Sequence, residues 1–288
     1  MNGNLKLAIQ KKGRLTEKSL ELLRHCGLDI ENYSERLIVS VRNFPLDILF
    51  LRDDDIPEYV QDGVADIGIV GENVIYEKQT QTTMLEKLGF GRCSLMLAYP
   101  ENKELKKIED INGRIIATTY PRILKDYLGS NNLNAKIIEL SGSVEIAPSL
   151  GVADLICDIV STGNTLMMNK LKKSFKVFDS EAVLISAASS LSDEKKNDML
   201  NDLLNRIRSV LTARSSKYLM MNVPKNSLEK IINIIPSLKS PTVLHLADAN
   251  MLAVHAVIPS NKFWSIIEDL KAAGASGILL LPIENMIQ

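Results

Sequence analysis

The feature that most restricts this chain is an alternation near its start. Short apolar runs take turns with amphipathic helical patterns from Leu5 to Val70. An apolar run bounded by turn residues and followed by helical spacing is a βα unit, and successive βα units imply a parallel sheet covered by helices. Leu5 to Gln10 is predicted as the first strand. Thr16 is placed to cap the next helix, whose apolar positions Leu15, Leu22, Leu23 and Cys26 recur at helical spacing, and Gly27 can end it. Asp47 to Arg52 and Ala65 to Val70 are predicted strands. Between them, Asp53-Asp54-Asp55 ahead of Pro57 suits an N-cap and first helical turn better than a metal site.

A second α/β series follows Gly89-Phe90-Gly91, with strands expected at Cys93 to Tyr99, Arg114 to Thr118, Lys136 to Leu140 and Leu155 to Val160 and a turn at Asn112-Gly113. Ala182 to Ile185 is expected to return the chain to the first sheet, so that two crossings, near Phe90 and Asp179, join two lobes. Residues 1–90 and 179–215 then form lobe I and residues 91–178 lobe II, and clefts of this kind close on ligands. Leu200, Leu203, Leu204, Ile207, Val210 and Leu211 make one apolar helical stripe. From Lys217 the order reads βαββαβ, the order of a ferredoxin-like domain, expected over 216–288.

At 288 residues the chain exceeds the size of a single ordinary core, which agrees with two or three domains. Thirty-four basic residues against 35 acidic ones leave a net charge of -1, which gives no reason to expect nucleic acid or an anionic membrane. A small-molecule partner is expected instead. The start lacks a basic n-region and an apolar h-region, and no apolar run approaches the roughly 20 residues of a membrane span, so the expected location is cytoplasmic. Cys26, Cys93 and Cys157 sit singly among apolar residues and read as buried reduced thiols; His25, His245 and His255 are equally scattered, the last two in strand-like runs that suit core or interface positions. This pattern argues against structural zinc.

The richest chemistry lies between Asp154 and Leu166, where a strand-like run with two acids breaks into Ser161-Thr162-Gly163-Asn164-Thr165 before a helix. Consecutive N–H groups and hydroxyls at a helix start hold a phosphate. Asp158, just upstream, can accept bonds from the vicinal hydroxyls of a ribose and fix the sugar relative to its 5-phosphate. Taken alone, Ser-Thr-Gly reads as a helix cap; the residues upstream of it favour the phosphate loop. Glu145, in the turn Ser141-Gly142-Ser143-Val144-Glu145, has two open roles: cap partner of Gly142 and Ser143, or ribose ligand. Lys11 and Arg14 in Gln10-Lys11-Lys12-Gly13-Arg14 put cations where nucleotide phosphates approach a strand end, or form a solvated basic turn. Arg52 neutralises a phosphate or pairs with Asp53 to Asp55. Asp66-Ile67-Gly68-Ile69-Val70-Gly71-Glu72-Asn73 reads as a buried strand whose glycines allow close backbone approach at the cleft.

In order and spacing these blocks, with Ala117-Thr118-Thr119-Tyr120-Pro121 and Ser141 through Leu166, resemble the long-form ATP phosphoribosyltransferases of histidine biosynthesis from Leu5 to the C-terminus. The resemblance implies a two-lobed core like the type II periplasmic binding proteins plus a C-terminal ferredoxin-like regulatory domain. It implies that N1 of the adenine of ATP attacks C1 of phosphoribosyl pyrophosphate (PRPP) and releases pyrophosphate, with no protein nucleophile; no catalytic base is assigned. Glu145, Asp158, Ser161, Thr162, Gly163, Asn164 (through its backbone) and Thr165 are the implied PRPP residues. Lys11, Arg14, Arg52, Gly71, Asn73 and Tyr120 are those for ATP and pyrophosphate. Mg2+, the implied cofactor, is held mainly by substrate oxygens. Histidine is the implied inhibitor, with Ser240, Thr242, Ala275 and Ser276 as effector candidates, and the implied assembly is a homo-hexamer. Two other classes fit part of the pattern: a two-lobed binding protein without chemistry, and an amino-acid sensor built on the C-terminal domain.

Overall fold

The structure, a computed structural model, describes residues 3–31, 36–160, 163–187 and 192–287. In chain order its elements are β1 (Leu5–Gln10), α1 (Arg14–His25), β2 (Ile38–Ser40), β3 (Leu46–Leu51), α2 (Ile56–Gln61), β4 (Ile67–Gly71), α3 (Glu72–Lys78), β5 (Thr82–Lys87) and β6 (Cys93–Pro100). Next come β7 (Ile115–Thr118), α4 (Pro121–Ser130), β8 (Lys136–Glu139), β9 (Leu155–Val160), α5 (Asn164–Met168), β10 (Leu171–Ser180), β11 (Ala182–Ala187) and α6 (Glu194–Arg214). The last are β12 (Ser216–Pro224), α7 (Leu228–Ile234), β13 (Thr242–His245), β14 (Met251–Pro259), α8 (Phe263–Ala272) and β15 (Ser276–Pro282). Two compact units result: Met1–Glu21 with Asp29–Met199, and Leu22–Leu28 with Leu200–Gln288.

The first unit contains two sheets, each the centre of one lobe. In the lobe I sheet the order is β2-β3-β1-β4-β11-β5, with β1 parallel to both β3 and β4. The sheet is mixed rather than purely parallel, because β2 runs antiparallel to β3 and because β11 returns from the other lobe and runs antiparallel to β4 and β5. In lobe II the order is β10-β6-β9-β7-β8, with β7 parallel to β8 and β9, and β6 antiparallel to β9 and β10. Strands β2, β5 and β10 have no counterpart in the sequence reading; β10 alternates lysines with aromatic and aliphatic residues, a half-exposed edge pattern.

Local chemistry explains most boundaries. Helix α1 begins at Arg14, so Thr16 is inside its first turn and not its cap; the Thr16 hydroxyl donates instead to the Gln10 carbonyl at 2.8 Å, closing the β1–α1 turn. Asp53–Asp55 form a 3-10 turn and Pro57 lies in the first turn of α2, but no side chain caps either helix. Gly68 lies against α2: a Cβ there would meet Ile56 at 2.7 Å and Val60 at 3.0 Å, so its close approach serves helix packing and not the cleft. Ala8, Ile56, Val60, Val70, Val183 and Ile185 form the core between that helix and the sheet. Asp66, nearly fully buried, accepts the Lys6 N–H at 2.8 Å and the Lys196 ammonium at 2.7 Å, tying the β4 entrance to the start of α6.

The second unit carries an antiparallel sheet ordered β13-β14-β12-β15, with a core of Leu219, Met221, Val223, Ile231, Val254, Ile258 and Leu270. This is the βαββαβ domain of the sequence reading. On the opposite face the Tyr218 hydroxyl lies 3.0 Å from His255 Nδ1. His255 is half-buried as expected of it, but His245 is exposed, because edge strand β13 is exposed along its whole length. Cys26 and Cys157 are buried and Cys93 half-buried, all as free thiols. Among the described residues no helix is long and apolar enough to cross a membrane, and no group of three His, Cys, Asp or Glu side chains is placed to hold a metal.

Candidate active site

The cleft walls are built from strand ends. In β9, Leu155, Ile156 and Cys157 are fully buried between β6 and β7; its register with β7 stops at Thr118–Cys157, so Asp158 emerges where β7 has ended. There the Thr118 hydroxyl donates to the Cys157 carbonyl at 2.7 Å and accepts the Tyr120 N–H at 2.9 Å, which turns the chain into α4 and sets Tyr120 beside Asp158. Asp158 is half-buried. Burial pushes its carboxyl above the usual aspartate range, Glu145's charge adds to that, and the Ile159 N–H, 2.7 Å from Asp158 Oδ1, opposes both. Tyr120's phenol is likewise pushed up, first by burial and then by the charges of Asp158, Asp53 and Asp54.

Those residues draw the two lobes together around one space. Asp53 and Asp54 from the end of β3, Val74 and Glu77 from α3, and Tyr120 and Ser141 from lobe II line a cavity of about 490 Å³. Asp53 is held above its usual range by burial first and by neighbouring Asp54 next. Behind it, near the crossings, Glu72, Lys87, Arg92, Ser94, Val160 and Glu181 line a second space of about 340 Å³, where Glu72 pairs with Lys87 at 3.2 Å. At the crossings themselves the Ala182 N–H donates to the Phe90 carbonyl at 2.9 Å and the Glu72 N–H to the Glu181 carbonyl at 3.0 Å.

The residues singled out from sequence distribute as follows. Glu145 is half-buried in a 3-10 turn, Val144–Ile146, that has no side-chain cap, and its charge acts on Asp158. Gly163 is the N-cap of α5 in the left-handed region (φ 83°), with Asn164 and Thr165 exposed in its first turn. Ser161 and Thr162 lie outside the described residues. Lys11 and Arg14 are exposed at the end of β1, where the Lys11 N–H donates to Leu51, and Arg52 is exposed after β3. Gly71 is the N-cap of α3. Asn73, two residues on, is buried, its side-chain oxygen accepting the Ser180 hydroxyl at 2.7 Å. Glu77, Lys87 and Ser180 were not singled out; their contacts join positions 15 to 107 residues apart, and no local motif announces them.

The four effector candidates do not converge within one chain. Ser240 and Thr242 enter β13 and Ala275 and Ser276 enter β15, the opposite edges of a four-stranded sheet, about 14 Å apart at normal strand spacing. Ala275 is part of the apolar core of its domain.

Two α/β lobes around strand-end acids, with a glycine-started helix after Asp158 and a separate βαββαβ domain, have the parts that a pentosyltransferase handling phosphorylated ribose needs. The chain belongs to the ATP phosphoribosyltransferase family: that family's model matches residues 52–209, and the model of its C-terminal domain matches residues 213–285. It is 49% identical over all of its length to an ATP phosphoribosyltransferase of Cytophaga hutchinsonii, whose whole length is covered. It is 48% identical to one of Bacteroides thetaiotaomicron, with 98% of this chain and 99% of the relative covered. A solved ATP phosphoribosyl transferase (HisG:HisZ) complex from Thermotoga maritima contains a chain that superposes with a TM-score of 0.59 at 32% identity, covering 71% of this chain and 98% of that one. The reaction is the transfer of the phosphoribosyl group of PRPP to ATP, the first step of histidine biosynthesis.

Proposed function

We propose that this transfer runs in the interlobe cleft, with PRPP on the lobe II wall and ATP between the lobes. The observation that carries the reading is the convergence of Asp158, Glu145 and Tyr120 beside the start of α5. Asp158 and Glu145 accept bonds from the two ribose hydroxyls; the start of α5, with Gly163 as its N-cap, receives the 5-phosphate. Ribose hydroxyls donating to the Asp158 carboxylate offset the burial that disfavours its charge and, with it, the smaller repulsion from Glu145. Lys11, Arg14 and Arg52, exposed at the ends of β1 and β3, supply positive charge toward the phosphates of ATP and the departing pyrophosphate. Gly71 and Asn73 shape the floor where β4 ends, and Tyr120 covers the adenine side.

No protein nucleophile is required. The chain's part is to align N1 of adenine with C1 of the ribose and to exclude water, effects that together supply several kcal/mol of barrier reduction. Mg2+ fits this donor set as a substrate-borne ion: Asp53 and Asp54 line the larger cavity, while both oxygens of neighbouring Glu77 are taken by backbone N–H groups of α4, so substrate oxygens carry most of the coordination. When bound, the ion neutralises charge on the leaving pyrophosphate. The C-terminal domain is read as a histidine-responsive regulator, the assembly as a homo-hexamer and the location as cytoplasmic. Incubation with ATP, PRPP and Mg2+, with pyrophosphate release and the adenine-modified product both followed, tests the reaction. A chain that binds PRPP yet releases no pyrophosphate would instead be a binding protein.

A further inference from the structure

Helix α3 belongs to lobe I and touches lobe II along its length. At its start the Asn73 N–H donates to the Ser180 hydroxyl at 3.1 Å, at the end of β10. In its second turn the Tyr76 ring meets Phe178 edge-on, with centroids 4.9 Å apart. Near its end Glu77 accepts two backbone N–H groups of α4: Arg122 at Oε1, 3.0 Å, and Ile123 at Oε2, 3.1 Å.

The last contact is unusual in its source. An N-cap side chain ordinarily satisfies the second and third amides of its own helix. The N-cap of α4 is Tyr120, which makes no side-chain cap, and Pro121 has no N–H to offer. Glu77, in the other lobe, supplies the missing acceptor with both oxygens and places its negative charge at the positive end of the α4 dipole. Glu77 also lines the larger cavity, next to Tyr120.

We infer that Glu77 is a positioning residue that latches the lobes: by capping α4 from lobe I it fixes the spacing between the wall bearing Asp53 and Asp54 and the wall bearing Tyr120 and Asp158. Its kinetic consequence rests on the reading that both substrates meet in this cleft. Without the latch the empty cleft samples wider openings, and part of the binding energy of each substrate goes into closing it. Michaelis constants therefore rise, while turnover of the closed complex, held by the bridging substrates, changes little.

The experiment compares the full-length enzyme with Glu77→Ala and with Glu77→Gln, which retains one acceptor oxygen. Amide hydrogen exchange of the substrate-free chains is read first, then steady-state kinetics with ATP and PRPP. In Glu77→Ala exchange is expected to accelerate over 122–124, along α3 and over 178–182, with both Michaelis constants up about tenfold and kcat within about threefold of the parent. Glu77→Gln falls between. Acceleration confined to the first turn of α4 makes Glu77 a local cap and overturns the latch, as do unchanged Michaelis constants or parent-like exchange. If Glu77→Ala does not fold, the same two readouts on Glu77→Gln decide. A parent enzyme with no turnover refutes the reading of the cleft, and the exchange pattern of the empty chain then decides the latch by itself.

Discussion

Asp158 stands where burial and a second carboxylate both oppose its charge, and it owes its place to a strand that runs on past its neighbour, as the first residue beyond their last pair. Replacing it with Asn removes a charge-assisted bond to ribose worth about 1.5–3 kcal/mol, so kcat/KM for PRPP is expected to fall roughly ten- to a hundredfold with ATP binding nearly unchanged. The pH dependence has a definite sign. A carboxyl raised on folding contributes stability that is full below its unfolded pKa and lost as pH rises through the folded value. Asp158→Asn should therefore melt no lower than the parent at neutral pH. Since the ionised form is the one that accepts ribose hydroxyls, PRPP affinity of the parent falls as pH drops through the raised value, above the usual aspartate range, and the variant lacks that limb. Parent-like PRPP kinetics in a folded Asp158→Asn would remove the residue from the site. At Gly163 the backbone decides: among the described residues a Cβ would meet only Val160, at an ordinary 3.9 Å, but φ is 83°. Gly163→Ala is expected to cost about 1–2 kcal/mol at the α5 start and to weaken PRPP binding in calorimetry; normal affinity would reduce the turn to a helix end.

Among the elements, β4 and α6 are joined through a single carboxylate. Asp66 is 3% exposed and holds both the Lys6 N–H and the Lys196 ammonium. Asp66→Asn strips the charge from a largely buried pair and leaves Lys196 without its counterion. The expected loss is about 3 kcal/mol, the low end for such pairs because Lys196 retains some contact with water. Thermal and denaturant melts measure it, and a change under about 0.5 kcal/mol would mean that Lys196 simply reorients into solvent. Activity of the folded fraction should stay near the parent's, since the pair lies at the entrance of β4 and the cleft at its exit.

For the whole molecule the open issue is coupling between the βαββαβ domain and the cleft. An effector shifts activity only through different affinity for two conformations, so a lesion in that domain can abolish inhibition while the catalytic lobes stay assembled. Thr242 lies exposed on edge strand β13, paired in register with His255. A Thr242→Ala enzyme that keeps its activity and its mass by light scattering but loses its response across a histidine titration would place Thr242 in the effector site. Unaltered inhibition would exclude it, and a parent with no response would remove the regulatory reading of the domain.

Periodicity and punctuation carried much of the architecture. Leu5 to Gln10, Leu155 to Val160 and the βαββαβ order after Lys217 are legible because each apolar run is buried on one or both sides and bounded by its own turn residues. The passage from β9 to α5 was legible for a related reason: an acid near a strand end and a glycine before a helix are neighbours in the chain. The mixed direction of the lobe I sheet was not, since it depends on where β11 inserts after crossing back, between β4 and β5. Thr16 was misread because a hydroxyl near a helix start serves as a cap or as a turn clamp according to where the helix begins. The meeting of Asp53, Tyr120 and Asp158, and the reach of Glu77 to α4, belong to tertiary structure alone. They join strand ends and helices far apart in the chain, 45 residues in the case of Glu77 and Arg122, and a hydrogen bond across a cleft leaves no period in the sequence.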